Sequence, residues 1–228
     1  MVGEKLCLGS RCPNARAQER ADSFRARLAE YADNLVVSET HRRLYEEMMV
    51  LDLTSGVFNG KGLRMKFHEE LARFQRTGSG FALLFMKIDS FEALKAQRGD
   101  KCVDKLLVLV AGALKGSIRP YDSVHRIKDA EFTVLLPDTD KEDDACKVAE
   151  RLREKVEQQP WAPDNTNALL RVTVSIGVAV LEAKGGSETP LDSDAELKKL
   201  LEKAMRAEEK AESEGANRIS LLPCSAQE

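Results

Sequence analysis

The sequence predicts an α/β domain of the α+β kind, with a central, mainly antiparallel sheet covered by helices and preceded by a helical stem. Short apolar runs bounded by glycines alternate with longer amphipathic segments along most of the chain. Two β-rich runs, 123–127 and 131–136, are separated by three residues, a hairpin spacing. A length of 228 residues allows one core plus an extension.

The first half of the domain reads as a helix, a strand and two helices. Gly78 and Gly80 end the first helix, and the apolar run 81–88 is too short for a helix between such breakers. A short helix follows, and then a longer one with leucines on its inner face. The predicted bounds are 63–76 for the first helix, 81–88 for the strand, and 89–97 and 101–118 for the next two helices.

The second half adds the hairpin, two helices and two further strands. Val148, Leu152 and Val156 recur on one helical face, whereas the run 169–180 is β-branched. Such an order favours a mixed, mainly antiparallel sheet with helices packed on it. The predicted bounds are 123–127 and 131–136 for the hairpin, 141–158 and 195–213 for the helices, and 169–180 and 217–222 for the strands.

Residues 1–51 predict a helical stem. Between 15 and 50 there is no proline or glycine, and Phe24, Leu28, Tyr31 and Leu35 form one thin apolar stripe. A thin stripe suits a coiled-coil-like stem that self-associates or binds a protein partner. A helix folded back onto its own domain fits the pattern equally well.

Composition narrows the functional classes. The net charge is −3 with both signs interspersed, which argues against a general electrostatic grip on nucleic acid. No apolar run approaches the roughly 20 residues of a membrane helix, and the N-terminus lacks a signal-peptide pattern, so we expect a cytoplasmic protein without membrane contact. The cysteines are scattered and odd in number, which favours free thiols over a metal site. They are Cys7, Cys12, Cys102, Cys146 and Cys224.

Six segments between residues 52 and 222 together resemble the GGDEF domain of diguanylate cyclases. Each is a soft match, but all six follow the family's order and spacing. The resemblance implies the nucleotidyl-cyclase-like fold and assigns residues 52–223 to one GGDEF domain. The segments are 52–59, 84–91, 126–132, 136–139, 172–178 and 215–219.

The same resemblance predicts that catalysis is lost. Joining two GTP molecules requires metal ions held by carboxylates, and the family's two carboxylate positions fall on Lys87 and Ala130. An ammonium group cannot coordinate magnesium and repels it at close range. The signature turn is also degenerate, with side chains in place of the glycines that let the backbone approach phosphate. The turn reads Lys128, Asp129, Ala130, Glu131, Phe132.

Other nucleotide contacts of the family are altered as well. Its guanine-binding asparagine falls on Lys95, although the partnering aspartate is kept as Asp104. Its phosphate-binding Lys and Arg fall on Glu212 and Ala216. Asp89 and Glu131 persist and could in principle form a rearranged metal site, but capping or bracing of the turn is favoured. We expect no diguanylate cyclase activity, no metal and no cofactor.

A second motif of the family is retained. Arg119 and Asp122 are three residues apart just before the hairpin, where active members carry the Arg-x-x-Asp inhibitory site for cyclic di-GMP, and Arg151 matches the third arginine of that site. An arginine fork pairs with guanine O6 and N7 or with phosphate, and a carboxylate accepts from guanine N1 and N2. The alternative is that Asp122 caps the strand and Arg119 is a solvated helix-end residue.

The leading hypothesis is therefore a catalytically inactive GGDEF protein that acts as a cyclic di-GMP receptor through Arg119, Asp122 and Arg151. One alternative is a protein-interaction scaffold that needs no nucleotide. A further alternative is a residual cyclase or GTP sensor that uses the vacated active site through Asp104.

Overall fold

The computed structural model describes residues 49–163, 169–182 and 191–222. All of them belong to one of the chain's two compact units, Met49–Glu228. The predicted stem lies outside the described residues, apart from its last three positions.

The described elements alternate as the sequence predicts. Five helices and five strands are present in these ranges. In chain order they are α1 (Gly60–Thr77), β1 (Phe81–Ile88), α2 (Phe91–Arg98), α3 (Asp100–Gly116), β2 (Ser123–Lys128), β3 (Glu131–Leu136), α4 (Glu142–Gln158), β4 (Val174–Leu181), α5 (Ser193–Ser213) and β5 (Ile219–Leu221).

The strands form one sheet in the order β2-β3-β1-β4-β5. Every neighbouring pair is antiparallel except β4 with β5, which is parallel. The prediction of a mixed, mainly antiparallel sheet is confirmed. Because β1 lies at the centre, its last residues are flanked by the start of β3 on one side and of β4 on the other.

Apolar side chains cover both faces of the sheet. Alternate residues of β1, such as Leu84 and Met86, pack with α3 and α4 in the larger core. The intervening residues, such as Leu83 and Phe85, pack with α1 and α5 in the smaller core. The period-2 alternation of a strand buried on both faces places Lys87 on the side of α1 and α5.

Two boundaries differ from the sequence-based prediction by more than two residues. Helix α1 begins at Gly60 rather than at 63, because the Asn59 side chain accepts hydrogen bonds from the amides of Lys61 and Gly62 and caps the helix. Strand β4 begins at Val174 rather than at 169, because the chain before it pairs elsewhere: Leu170 forms an isolated antiparallel bridge with Trp161.

Candidate functional site

Lys87 stands at the end of β1, where the resemblance implies a metal-binding carboxylate. Its register partners are Glu131 on β3 and Ser175 on β4. Its Nζ donates a 2.9 Å hydrogen bond to Oε2 of Glu212, in the last turn of α5. This hydrogen bond raises the pKa of Lys87 against the effect of burial, helped by the charges of Glu212, Glu208 and Glu131. Lys87 is therefore a charged ammonium in an acidic surrounding.

Glu208 lies one turn before Glu212 on the same helix and is only 3% exposed. Its Oε1 is buried without a hydrogen-bond partner in the part of the chain that the structure describes. Burial raises the pKa of this carboxyl to about 7, although the charge of Lys87 opposes the shift. The backbone of Glu208 packs closely against Gly177 of β4.

The degenerate signature forms the tight turn between β2 and β3. Asp129 has a φ of 36°, a conformation that glycine adopts without steric cost and aspartate does not. The side chain of Ala130 is buried in the larger core, and its carbonyl accepts from the Ile88 amide at 3.3 Å. Phe132 is completely buried. The turn is thus fixed by packing and backbone contacts.

Arg126 reinforces this turn from the side of β2. Its Nε donates to the Asp129 carbonyl at 2.8 Å, and its Nη1 donates to Asp52 Oδ1 at 3.0 Å. Burial would raise the pKa of Asp52, but hydrogen bonds from Ser55 and Arg126 outweigh it and lower the pKa. The guanidinium therefore joins the turn to the opening segment of the domain.

Asp89, the carboxylate that remains next to the vacated position, is engaged by the protein itself. It accepts from Thr173 Oγ1 at 2.6 Å, Ser175 Oγ at 2.7 Å and the Asn217 amide at 3.1 Å. Its oxygens hold the end of β1 to β4 and to the turn before β5. Within the described ranges, no cluster of three or more His, Cys, Asp or Glu side chains is arranged to hold a metal ion.

The other positions at which the resemblance implies nucleotide contacts lie on α2, on α3 and in the turn before β5. Lys95 at the end of α2 pairs with Asp100 at 3.3 Å across an exposed surface. Asp104 is exposed on α3, and Ala216 lies in the turn before β5 with a φ of 56°. The ion pair that Lys87 forms in the structure is with Glu212.

Arg119 and Asp122 form the two ends of a four-residue turn between α3 and β2. The Asp122 amide donates to the Arg119 carbonyl at 3.1 Å, and the Arg119 amide donates to Asp122 Oδ2 at 2.9 Å. Pro120 occupies the second position, where its fixed φ suits a turn. The Arg119 side chain is exposed and its guanidinium lies over the Tyr121 ring, 5.8 Å from the centroid.

Arg151 on α4 approaches the same turn from the neighbouring helix. Its Nη2 donates to the carbonyl of Ser117, the C-cap residue of α3, at 3.1 Å. Partial burial raises the pKa of Asp122, while its bond from the Arg119 amide and the charges of Arg119 and Arg151 act in the opposite direction. The structure thus brings Arg119, Asp122 and Arg151 together at one turn, where the Arg119 amide binds Asp122 and Arg151 binds the Ser117 carbonyl.

Sequence reasoning missed three features of these regions. It treated Lys87 and Glu212 as separate changes, although they pair with each other. It did not single out Glu208, which reads as one more charge on a charged helix. It also gave no role to Tyr121, although the position of this aromatic residue between Arg119 and Asp122 indicates that it lies at the proposed site.

Comparison with known proteins decides the family. The family model described as "Diguanylate cyclase, GGDEF domain" matches residues 49–218. The chain belongs to the GGDEF domain family. This match and the observed fold confirm the family and the fold predicted from the six segments.

Relatives of this GGDEF domain include signalling proteins and diguanylate cyclases. The response regulator PleD of Caulobacter vibrioides is 30% identical over 144 residues, which cover 63% of this chain and 31% of PleD. Diguanylate cyclase DosC of Escherichia coli is 26% identical over 188 residues, covering 81% of this chain and 38% of DosC. The chain therefore spans about a third of the length of the curated relatives it matches.

Solved structures also resemble the domain. Diguanylate cyclase SiaD of Pseudomonas aeruginosa, in complex with its activator SiaC, has a TM-score of 0.66 at 25% identity, over 92% of this chain and 77% of SiaD. The GGDEF domain of DgcB from Caulobacter crescentus, in complex with c-di-GMP, has a TM-score of 0.66 at 20% identity, over 77% and 94% of the two chains. No helix among the described residues is long and apolar enough to cross a membrane.

Proposed function

We propose that this GGDEF domain binds cyclic di-GMP at Arg119, Asp122 and Arg151 and does not synthesise it. The single observation that carries the binding half is that Arg119, Asp122 and Arg151 meet at one turn. Asp122 accepts from the Arg119 amide there, and Arg151 donates to the nearby Ser117 carbonyl. Guanine presents acceptors at O6 and N7, which suit an arginine, and donors at N1 and N2, which suit a carboxylate. The DgcB domain in complex with c-di-GMP supports the choice of ligand.

The absence of synthesis rests on the ion pair between Lys87 and Glu212. A divalent cation at the end of β1 would lie beside an ammonium group that already has an anionic partner at 2.9 Å. Asp89 is engaged by three donors of the protein, and Ala130 offers no ligand. Without metal ions to neutralise the triphosphates and activate the attacking hydroxyl, the reaction lacks its main electrostatic support.

Isothermal titration with cyclic di-GMP tests the binding half. Wild type is expected to bind, and Arg119→Ala is expected to weaken binding by roughly tenfold to a hundredfold, because it removes a forked contact to guanine or phosphate. Arg64→Ala is the matched control, since Arg64 is exposed on α1, on the opposite face of the sheet. Equal affinities of wild type and Arg119→Ala would place the ligand elsewhere and overturn the proposed site.

A second candidate function is a protein-docking domain that needs no nucleotide. It is favoured by the structure of SiaD in complex with its activator SiaC, and the predicted stem 1–51 would supply self-association or a partner surface. Absence of heat with wild type at high ligand concentration, for a folded sample, would select this candidate.

A further inference from the structure

Tyr121 is a large aromatic side chain left on the surface, with 56% of its area exposed. It lies inside the turn, between Arg119 and Asp122. The ring forms a cation–π contact with Arg119, whose guanidinium carbon is 5.8 Å from the ring centroid. A cation within about 6 Å of an aromatic face is attracted by the negative charge density of that face.

The turn holds the two side chains in a fixed relation. Hydrogen bonds in both directions between Arg119 and Asp122 close it, and Pro120 restricts the backbone between them. The backbone from which Arg119 and Tyr121 project is therefore fixed before any ligand arrives. The ring then restricts the rotamers of the long arginine side chain, which would otherwise lose that freedom on binding.

The contact with Tyr121 leaves the arginine donors free. Within 49–163, 169–182 and 191–222, no hydrogen bond or ion pair engages the Arg119 guanidinium. The nearby Asp144 is occupied by Lys147 at 2.8 Å, and Asp122 Oδ2 by the Arg119 amide. A ring that attracts the charge of a guanidinium takes no conventional hydrogen bond from its N–H groups, so the five donors remain available to a ligand.

We propose that Tyr121 is a positioning residue that holds the Arg119 guanidinium over its ring, with its N–H donors presented to a guanine or phosphate of the bound dinucleotide. This inference rests on the proposed function, since it concerns the same site. Tyr121 acts through Arg119 and through the face of its ring; its hydroxyl group is not required.

The test compares three substitutions by titration with cyclic di-GMP. Tyr121→Leu removes the ring and keeps an apolar side chain, so we expect affinity to fall about two- to fivefold. Tyr121→Phe keeps the ring face and is expected to bind like wild type, and Tyr121→Trp is expected to bind at least as well. Thermal unfolding of all three should match wild type, because the side chain is exposed.

A second measurement, on the free protein, reports the contact itself. Ring currents of Tyr121 should shift the NMR signals of the Arg119 δ-methylene protons, and this shift should persist in Tyr121→Phe and disappear in Tyr121→Leu. If Tyr121→Leu binds as tightly as wild type, or if Tyr121→Phe weakens binding as much as Tyr121→Leu, the positioning role is wrong while the binding site stands. If wild type binds no cyclic di-GMP, the proposed function fails and this role fails with it.

Discussion

Lys87 and Glu212 carry charges opposite to those that the family resemblance implies at their positions. A carboxylate would hold metal where Lys87 stands, and a lysine would hold phosphate where Glu212 stands. In this chain the two exchanged charges meet at 2.9 Å. An exposed pair of this kind contributes at most about 1 kcal/mol to stability. Its proposed consequence is chemical, since the pair places a cation of the protein where the family resemblance implies a metal ion.

The sequence alone predicts each of these two changes but not their pairing. Lys87 and Glu212 are 125 residues apart in the chain, and only the packing of α5 against β1 and β4 brings them together. The burial of Glu208 could not be predicted from the sequence either. It depends on which face of α5 packs on the sheet, and charged residues are so frequent in this helix that its apolar face is hard to recognise.

Glu208 gives a pH-dependent prediction. Burial raises its pKa to about 7 from 4.5, so between these pH values the folded protein keeps a proton that the unfolded chain has lost. The resulting contribution to stability is complete below pH 4.5 and disappears as the pH rises through 7. Glu208→Gln cannot lose that proton. It should exceed wild type in unfolding free energy by about 2 kcal/mol at pH 8 and match it near pH 4.5.

Urea unfolding at pH 4.5 and 8 measures this difference. His125, whose pKa burial lowers to about 4, destabilises the fold as the pH falls below 6.5, but it is present in both proteins and cancels. Glu209→Gln is the matched control, because Glu209 is exposed on the next position of α5. An advantage of Glu208→Gln that is the same at both pH values would show that the carboxyl does not titrate in this range.

At the scale of elements, hydrophobic periodicity predicted nearly all of the described fold. Strands β1 and β3 have the predicted bounds, because glycines or a tight turn delimit them. The predicted strand 169–180 was too long at its start, since β-branched content does not show that Leu170 pairs with Trp161. Hydrophobic periodicity also does not predict how closely a helix packs on the sheet.

The close packing of α5 on β4 at Gly177 gives a stability prediction. A Cβ atom on Gly177 of β4 would overlap the carbonyl oxygen of Ala204 and the amide nitrogen of Glu208, both in the backbone of α5. A helix backbone cannot move aside as a flexible side chain can. Gly177→Ala should therefore lower the unfolding free energy by about 2 to 4 kcal/mol, measured by urea unfolding.

Gly112→Ala is the control for this substitution. Gly112 is exposed within α3, and a Cβ there meets nothing within 4 Å. The same chemical change should raise stability by about 0.5 to 1 kcal/mol through helix propensity. If the two substitutions changed the unfolding free energy by the same amount and in the same direction, the close packing of α5 on β4 would be contradicted.

At the scale of the whole molecule, two regions of this GGDEF domain to which the family resemblance assigns nucleotide binding differ in their contacts. The end of β1 is occupied by the protein's own ion pair and hydrogen bonds. The turn between α3 and β2 presents a guanidinium without a hydrogen-bond partner among the described residues, next to a carboxylate and a second arginine. The family resemblance already predicts that the first region is lost and the second retained. Side-chain geometry adds the contacts that occupy the end of β1 and the donors that Arg119 leaves unused.

Amide-resolved NMR titration of the labelled protein tests this contrast most directly. Cyclic di-GMP is expected to shift the amide signals of Arg119, Tyr121, Asp122 and Arg151. GTP with Mg²⁺ is expected to leave the signals of Lys87 and Ala130 unchanged, and the ³¹P spectrum of that sample should show GTP alone. Conversion of GTP to cyclic di-GMP with shifts at Lys87 and Ala130 would contradict the predicted loss of synthesis. An Arg119 turn left unperturbed by added cyclic di-GMP would contradict the predicted binding site.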